Sequence, residues 1–120
     1  MTHPIVLVFV GGGVGSVVRY GIGRLLPVAA FPIAILVVNT VASAILGWVV
    51  GWLLSRSAGE EARLLIGVGF CGGLSTFSSF SYDTLVLLQN GRWGGALLNV
   101  VLNVVFCLVA SAGGLWVASR

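Results

Sequence analysis

Charge is nearly absent from this chain of 120 residues. Six arginines and three carboxylates account for its 8% of charged residues, lysine does not occur, and 58% of the residues are hydrophobic. A domain that folds in water needs many more charged residues to cover its surface. The sequence therefore predicts an all-α integral membrane protein. Because one helical span takes about 20 residues, the length allows about four spans and leaves no room for a soluble domain.

The residues that catalysis, metal binding and proton transfer require are equally scarce. The one histidine, His3, stands near the N-terminus, and the carboxylates are Glu60, Glu61 and Asp83. The sequence contains no recognisable catalytic pair and no cluster of metal-binding side chains, so we predict that the protein is not an enzyme and holds no transition metal. The two cysteines fall inside apolar segments and are interpreted as packing residues.

Short polar stretches divide the chain into four apolar segments. We predict membrane-spanning helices near residues 5–25, 32–54, 62–88 and 94–118, which form a single transmembrane domain over residues 1–120. No Lys or Arg precedes the first segment and no cleavage site follows it. It is therefore predicted to remain as a span rather than to be removed as a signal peptide.

The arginines give little bias in membrane orientation. Three fall on the side that holds both termini and three fall on or near the other: Arg56, Arg63 and Arg120 against Arg24, Arg92 and Arg19. Orientation follows the excess of positive charge in the cytoplasmic loops, so this balance predicts insertion both ways. Two copies in opposite orientations would form an antiparallel, dual-topology dimer. Arg19 lies inside the first span, where it either faces protein and water or extends back to the interface.

Small residues at a spacing of four recur in the apolar segments and predict helices that pack closely. The pairs are Gly11 and Gly15, Gly47 and Gly51, and Gly69 and Gly73. The fourth segment carries a different repeat of the same period, formed by Asn99, Asn103, Cys107 and Ser111. These residues share one stripe of a helix. Uncharged polar groups in a span either hydrogen-bond between helices or line a path, and a whole stripe favours the path.

The third segment is interrupted by "GFCGGLSTFSSFS", residues 69–81. Its centre is a poor helix former and its flanks are good ones, so we predict a helix that is broken in mid-span. A break frees backbone carbonyls and amides, which must find partners within protein. The carbonyls suit a hard cation and the amide end suits an anion, while the serines and Thr76 can cap the amides. Phe77 and Phe80 share a face beside this break, where they either pack or present ring edges to an anion.

In these residues the chain resembles the Fluc (CrcB-type) fluoride channel family of small four-span bacterial membrane proteins. The resemblance covers nearly the whole chain and rests on four motifs in the family's order: "GGGVGSVVRY", "VVNTVASAILG", "GFCGGLSTFSSFS" and "NGRWGGALLNV". The third motif is the most specific. The resemblance implies an antiparallel homodimer with a sodium ion at its centre and two narrow pores that pass fluoride.

The same resemblance implies a role for particular residues. The implied fluoride pathway is lined by Asn39, Phe77, Ser78, Ser79, Phe80 and Asn103. The backbone carbonyls of Gly72 and Ser75 would hold the sodium ion together with their copies from the second chain. Arg19 corresponds to an arginine of the family's first span, which either sets a positive potential at the pore entrance or anchors the fold.

The function implied by the resemblance is passive export of fluoride across the bacterial cytoplasmic (inner) membrane, which relieves fluoride toxicity. Sodium would be a structural cofactor, and no ATP is required. Two alternatives stay open. One is a small dual-topology, proton-coupled multidrug transporter, for which Asp83 is the only candidate carboxylate within a span. The other is a membrane assembly protein that transports nothing and uses its glycines and serines only for packing.

Overall fold

Four helices make up the computed structural model, which describes residues 2–26, 30–56 and 59–120. Each helix is long and apolar enough to cross a membrane, and the described residues contain no strand. The helices are α1 (Pro4–Leu25), α2 (Ile33–Arg56), α3 (Glu60–Gln89) and α4 (Trp93–Ala118). The prediction of an all-α membrane protein with four spans is confirmed. The predicted domain of residues 1–120 extends beyond the described residues at three places: residue 1, and residues 27–29 and 57–58 in two of the polar stretches.

Local sequence explains where these helices begin and end. His3 precedes α1, and its Nδ1 accepts a hydrogen bond of 3.2 Å from the amide of Ile5. Proline is favourable at Pro4 because the first residue of a helix needs no amide donor. Between α3 and α4, Gly91 takes a φ of 73°, a left-handed conformation that glycine adopts without strain. These signals set the ends of the apolar segments, and tertiary packing aligns the segments with one another.

The helices pack mainly as two pairs, α1 with the first half of α3 and α2 with α4. Glycines lie at the closest contacts of both pairs. A methyl group at Gly11 or Gly15 would overlap the backbone carbonyl of Leu65 or Phe70 in α3, and one at Gly47 would overlap that of Ser111 in α4. The predicted close packing of helices at these glycines is confirmed.

A single methyl group added at Gly15 is expected to lower stability. Gly15→Ala forces α1 away from the carbonyl of Phe70. Overpacking of this kind lowers the free energy of unfolding by about 1–3 kcal/mol. Gly13→Ala is the matched control, since a methyl group there meets no atom within 4 Å. Thermal unfolding in detergent, followed by circular dichroism, should therefore show a lower midpoint for Gly15→Ala alone. Equal midpoints for the two variants would contradict the packing described for α1 and α3.

Helix α3 changes its backbone geometry within the membrane span. Arg63–Cys71 is a π-helix, and Gly72–Leu74 returns to α-helical geometry. The next two residues are extended, Ser75 with φ −81° and ψ 155° and Thr76 with φ −153° and ψ 120°. Phe77–Gln89 then continues as α-helix. We call residues 60–74 α3a and Phe77–Gln89 α3b, and the candidate site lies where they meet.

Candidate functional site

A cavity of 270 Å³ lies beside the interruption of α3 and is bordered by α2, α3b and α4. Four residues of the predicted fluoride pathway, which are distant in sequence, meet in its wall: Asn39, Phe77, Phe80 and Asn103. The remaining lining residues are Ser43, Ser75, Thr76, Val104 and Cys107. We call this space the Asn39 cavity. Among the described residues, its wall contains hydroxyl, amide, thiol and aromatic groups but no carboxylate or basic side chain.

Asn39 connects α2 to the interruption. Its Oδ1 accepts a hydrogen bond of 2.8 Å from the amide of Thr76, and its Nδ2 donates to the Thr76 carbonyl at 3.4 Å. The same Nδ2 donates to Oδ1 of Asn103 at 3.1 Å. A side-chain amide offers both a donor and an acceptor and so replaces the partners that a peptide group loses when a helix is interrupted. The Asn39 side chain therefore stabilises the extended backbone at Thr76.

A ladder of hydrogen bonds continues from Asn39 toward α3b. Nδ2 of Asn103 donates to the backbone carbonyl and to Oδ1 of Asn99, at 2.9 and 3.0 Å. Nδ2 of Asn99 donates to Oγ1 of Thr84 at 2.9 Å, and that hydroxyl donates to the carbonyl of Phe80 at 2.8 Å. Asn99 and Asn103 are buried, with 1% and 5% of their surfaces exposed. The ladder thus joins α2, α4 and α3b through uncharged groups.

Two features of this ladder depart from the interpretation of the sequence. Thr84 was not predicted, although it lies four residues after Phe80, a spacing that places both on one helical face. The residues of the predicted stripe on α4 also do not all reach the cavity, because Ser111 lies against Gly47 in the contact between α2 and α4.

The two cysteines lie in different surroundings. Cys71 is buried as expected of a packing residue, whereas Cys107 lines the Asn39 cavity. The burial of Cys71 supports the packing interpretation, which stays a prediction for Cys107.

Thr76 caps the amide end of α3b. Its Oγ1 accepts a hydrogen bond of 3.2 Å from the amide of Ser79. The hydroxyls of Ser78 and Ser79 lie 3.1 and 3.3 Å from the same oxygen. Neither serine lines the Asn39 cavity within this single chain. Thr76 is the cap, as the sequence allowed, and the hydroxyls of the two serines form a small cluster around it.

Arg19 contacts the other side of the interruption. Its Nε donates a hydrogen bond of 3.0 Å to the backbone carbonyl of Gly73, and the arginine is half-buried between α1 and α3a. A charged donor to a freed carbonyl is a strong partner inside a membrane span. Arg19 is consequently a residue of the helix bundle rather than a loop charge, and the comparison of loop arginines becomes three against two. This small difference still gives little bias in orientation.

The carbonyls of Gly72 and Ser75 lose their usual partners at the interruption. In a continuous helix they would accept from the amides of Thr76 and Ser79. The Thr76 amide instead donates to Asn39, and the Ser79 amide donates to Oγ1 of Thr76. Gly72 and Ser75 border a second cavity of 130 Å³, which also touches Ser43. We call it the Gly72 cavity. Among the described residues, the carbonyl oxygens of Gly72 and Ser75 at its border lack their helical amide partners, and such oxygens suit a hard cation.

Phe77 and Phe80 lie beside each other on the wall of the Asn39 cavity. Their ring centroids are 5.5 Å apart and their planes are tilted by 55°. Phe80 is half-buried, whereas 78% of the Phe77 surface is exposed in the single chain. The two rings thus form an aromatic wall on one side of the cavity.

Residues 6–115 match the family described as "CrcB-like protein, Camphor Resistance (CrcB)". The chain belongs to the CrcB family. Several relatives carry the name fluoride-specific ion channel FluC. The protein of Pyrococcus furiosus is 48% identical over 107 residues, which cover 86% of this chain and 85% of that protein. The protein of Pyrococcus abyssi is 45% identical over 116 residues, which cover 95% and 94% of the two chains.

A third relative with that name, from Klebsiella pneumoniae, is 42% identical over an alignment of 123 residues. The alignment covers 100% of this chain and 97% of the relative. These similarities extend over nearly the whole CrcB chain, so the family membership predicted from its motifs is confirmed. Together with its four spans, the membership makes this CrcB chain a multi-pass membrane protein.

The carboxylate of Asp83 lies away from the Asn39 cavity of this CrcB protein. It borders a separate groove of 530 Å³ together with Tyr82 and Arg92, near the turn between α3 and α4. A proton-coupled transporter would be expected to place a carboxylate in the cavity that holds its substrate. The position of Asp83 therefore gives no support for proton coupling at the Asn39 cavity.

Proposed function

We propose that this CrcB chain forms a channel that releases fluoride from the cytoplasm down its electrochemical gradient. The observation that carries the proposal is the Asn39 cavity. The described residues of its wall combine amide groups, hydroxyls and two phenylalanine rings without a formal charge. The names of the relatives support fluoride as the permeating ion. No chemical reaction is involved, so the protein is a channel and not an enzyme.

The wall of the cavity offers fluoride replacements for water. An ion that sheds its hydration shell in a pore needs donors at close range. The Nδ2 group of Asn39 can supply one, because its bond to the Thr76 carbonyl is long, at 3.4 Å, and is easily exchanged for a bond to an anion. Ring edges of Phe77 and Phe80 carry positive partial charge. The absence of a fixed positive charge keeps such a site weak enough for the ion to leave.

The driving force requires no coupled reaction. Hydrogen fluoride is a neutral weak acid that crosses membranes, and it ionises at the higher pH of the cytoplasm. The membrane potential then drives the anion outward, with a free energy of about 2.3 kcal/mol per charge per 100 mV. A passive pore in the cytoplasmic membrane is therefore sufficient to relieve fluoride toxicity.

The functional unit in this proposal is an antiparallel homodimer. Three observations support it: the near balance of loop arginines, the exposed ring of Phe77, and the exposure of Gly72 beside the interruption. A second copy would cover Phe77 and Gly72 and would complete the wall of each pore. Ser78 and Ser79, which follow Phe77 in the first turn of α3b, would then contribute hydroxyls to the pathway.

The carbonyls of Gly72 and Ser75 fit a structural sodium ion. Each chain supplies two oxygens without helical amide partners, so two chains together would supply four. Among the residues that the structure describes, no group of three His, Cys, Asp or Glu side chains could hold a metal ion. Sodium bound there would supply positive charge that offsets the converging carbonyl dipoles. Arg19 and Asn39 hold the backbone on either side of these carbonyls.

The proposed function is tested with purified protein in liposomes. Fluoride release is followed with a fluoride electrode after valinomycin is added to vesicles with outward potassium and halide gradients, and chloride release is measured in parallel. Fast fluoride release with little chloride release is the expected result. Failure of well-folded protein to release fluoride would refute the proposal, and proton-coupled drug export would be tested next.

Replacement of Phe80 by isoleucine is expected to slow fluoride release about tenfold, which corresponds to about 1.4 kcal/mol. Isoleucine keeps the side chain apolar but removes the ring edge from the cavity wall. Phe9→Ile is the matched control, because Phe9 is exposed on α1 and does not border the cavity. Unchanged release by a folded Phe80→Ile dimer would remove Phe80 from the pathway and would favour a packing role for the aromatic wall.

A further inference from the structure

Ser43 borders both cavities at the interruption of α3. It lies one turn after Asn39 on the same face of α2 and lines the Asn39 cavity with it. It also lines the Gly72 cavity. Only one other residue, Ser75, is shared by the two cavities. Ser43 therefore stands where the proposed anion pathway meets the proposed cation site.

The hydroxyl of Ser43 differs from the other hydroxyls of its helix. Oγ1 of Thr40 donates to the carbonyl of Leu36 at 2.7 Å, and Oγ of Ser55 donates to that of Gly51 at 2.8 Å. Across residues 2–26, 30–56 and 59–120, no hydrogen-bond partner is found for the hydroxyl of Ser43. In the same residues, every fully buried side-chain nitrogen or oxygen has a partner. The Ser43 hydroxyl is consequently open to the cavities rather than enclosed in the protein.

The other side-chain oxygen and nitrogen donors in the wall of the Asn39 cavity are bound to protein acceptors. The amide of Thr76 donates to Asn39, and its hydroxyl donates to Ser79. Nδ2 of Asn103 donates to Asn99, and the hydroxyl of Ser75 donates to the carbonyl of Cys71 at 2.8 Å. Nδ2 of Asn39 has two acceptors. Among the described residues, the Ser43 hydroxyl is the one side-chain oxygen or nitrogen donor of this wall that can bind an anion without breaking an existing bond.

We propose that the Ser43 hydroxyl binds fluoride directly, as an additional donor at the end of the Asn39 cavity that adjoins the Gly72 cavity. This inference rests on the proposed function. A hydroxyl group can donate its hydrogen to the anion while its oxygen faces the neighbouring cavity. An anion at this position is also close to the proposed sodium charge, and charges attract strongly where water is excluded. Ser43 would therefore increase the affinity of the pathway for fluoride.

The test compares fluoride release by four variants in liposomes. Ser43→Ala and Ser43→Val remove the hydroxyl and are expected to slow release about tenfold, which corresponds to about 1.4 kcal/mol. Ser43→Thr retains the hydroxyl and is expected to remain close to the wild type. Thr40→Val is the matched control, because it removes a hydroxyl that is already bound to Leu36. It is expected to release fluoride at the rate of the wild type.

Three further measurements separate direct binding from a structural effect. Loss of a fluoride ligand should raise the fluoride concentration at half-maximal flux for Ser43→Ala, while dimer size and equilibrium binding of sodium stay as in the wild type. Wild-type release by both Ser43→Ala and Ser43→Val would overturn the inference and leave the proposed channel intact. Equal loss of release in Ser43→Thr and Ser43→Ala would also overturn it, because the hydroxyl would then be irrelevant. No release from the wild-type protein would refute the channel itself.

Discussion

Replacement of Asn39 by alanine is expected to reduce fluoride release at least about a hundredfold, which corresponds to about 2.8 kcal/mol. The change removes the acceptor for the Thr76 amide and the donor to Asn103. A backbone amide left without a partner inside the protein costs about 1–3 kcal/mol, so Thr76 would move and the wall of the Asn39 cavity would change shape. The liposome assay measures the loss, and size-exclusion chromatography reports whether the protein remains assembled.

Two companion variants show which part of Asn39 matters. Asn39→Asp retains an oxygen acceptor for the Thr76 amide but loses the donors and adds a negative charge, so it should fold and yet fail to release fluoride. Thr40→Val changes the neighbouring residue, whose hydroxyl donates to the carbonyl of Leu36 within α2, and should release fluoride normally. Rapid fluoride release by Asn39→Ala would show that neither the bond to Thr76 nor the Asn39 donor is needed.

Replacement of Arg19 by methionine is expected to weaken both the fold and the proposed binding of sodium. Methionine keeps much of the apolar length of the side chain but leaves the Gly73 carbonyl without its donor. Hydrogen bonds to charged groups contribute about 1.5–3 kcal/mol, which corresponds to roughly ten- to hundredfold in an equilibrium constant. We therefore expect a lower unfolding temperature in detergent, weaker sodium binding at equilibrium, and slower fluoride release.

Arg24→Met is the matched control for this prediction. Arg24 lies in the last turn of α1, on the same helix, but its side chain is exposed. Loss of a positive charge near the pore entrance would affect both variants, whereas loss of support for the interruption would affect only Arg19→Met. Similar losses in the two variants, with unfolding temperatures unchanged, would show that Arg19 acts through its long-range potential and not through Gly73.

Much of the fold could be predicted because the membrane imposes simple requirements on sequence. The second and fourth spans are almost uninterrupted apolar runs, and the helices observed there, Ile33–Arg56 and Trp93–Ala118, are close to the predicted ranges. The glycines at positions 11, 15 and 47 also indicated close contacts, since small residues are the ones that let helix backbones approach. The sequence did not indicate which helices would pair through them.

The candidate site could be predicted only in part. Asn39, Phe77, Phe80 and Asn103 meet at one cavity, and their identification depended on the family resemblance as well as on their chemistry. Thr84 was missed, and Ser43 was assigned no place in the predicted pathway. Their relevance depends on which polar groups already have partners, and a sequence does not show how hydrogen bonds are shared between helices. For the same reason, the sequence did not show whether Arg19 faces protein and water or extends back to the interface.

The sequence by itself determined that this protein lies in a membrane, that it crosses it four times, and that it belongs to the CrcB family. These properties follow from composition, segment length and motifs, which are local features of the chain. Tertiary structure alone decided how α3 is stabilised where it is interrupted, with Arg19 bound to Gly73 and Asn39 bound to Thr76. The physical reason is that backbone groups freed inside a bilayer need partners, and those partners come from other helices that only folding brings near.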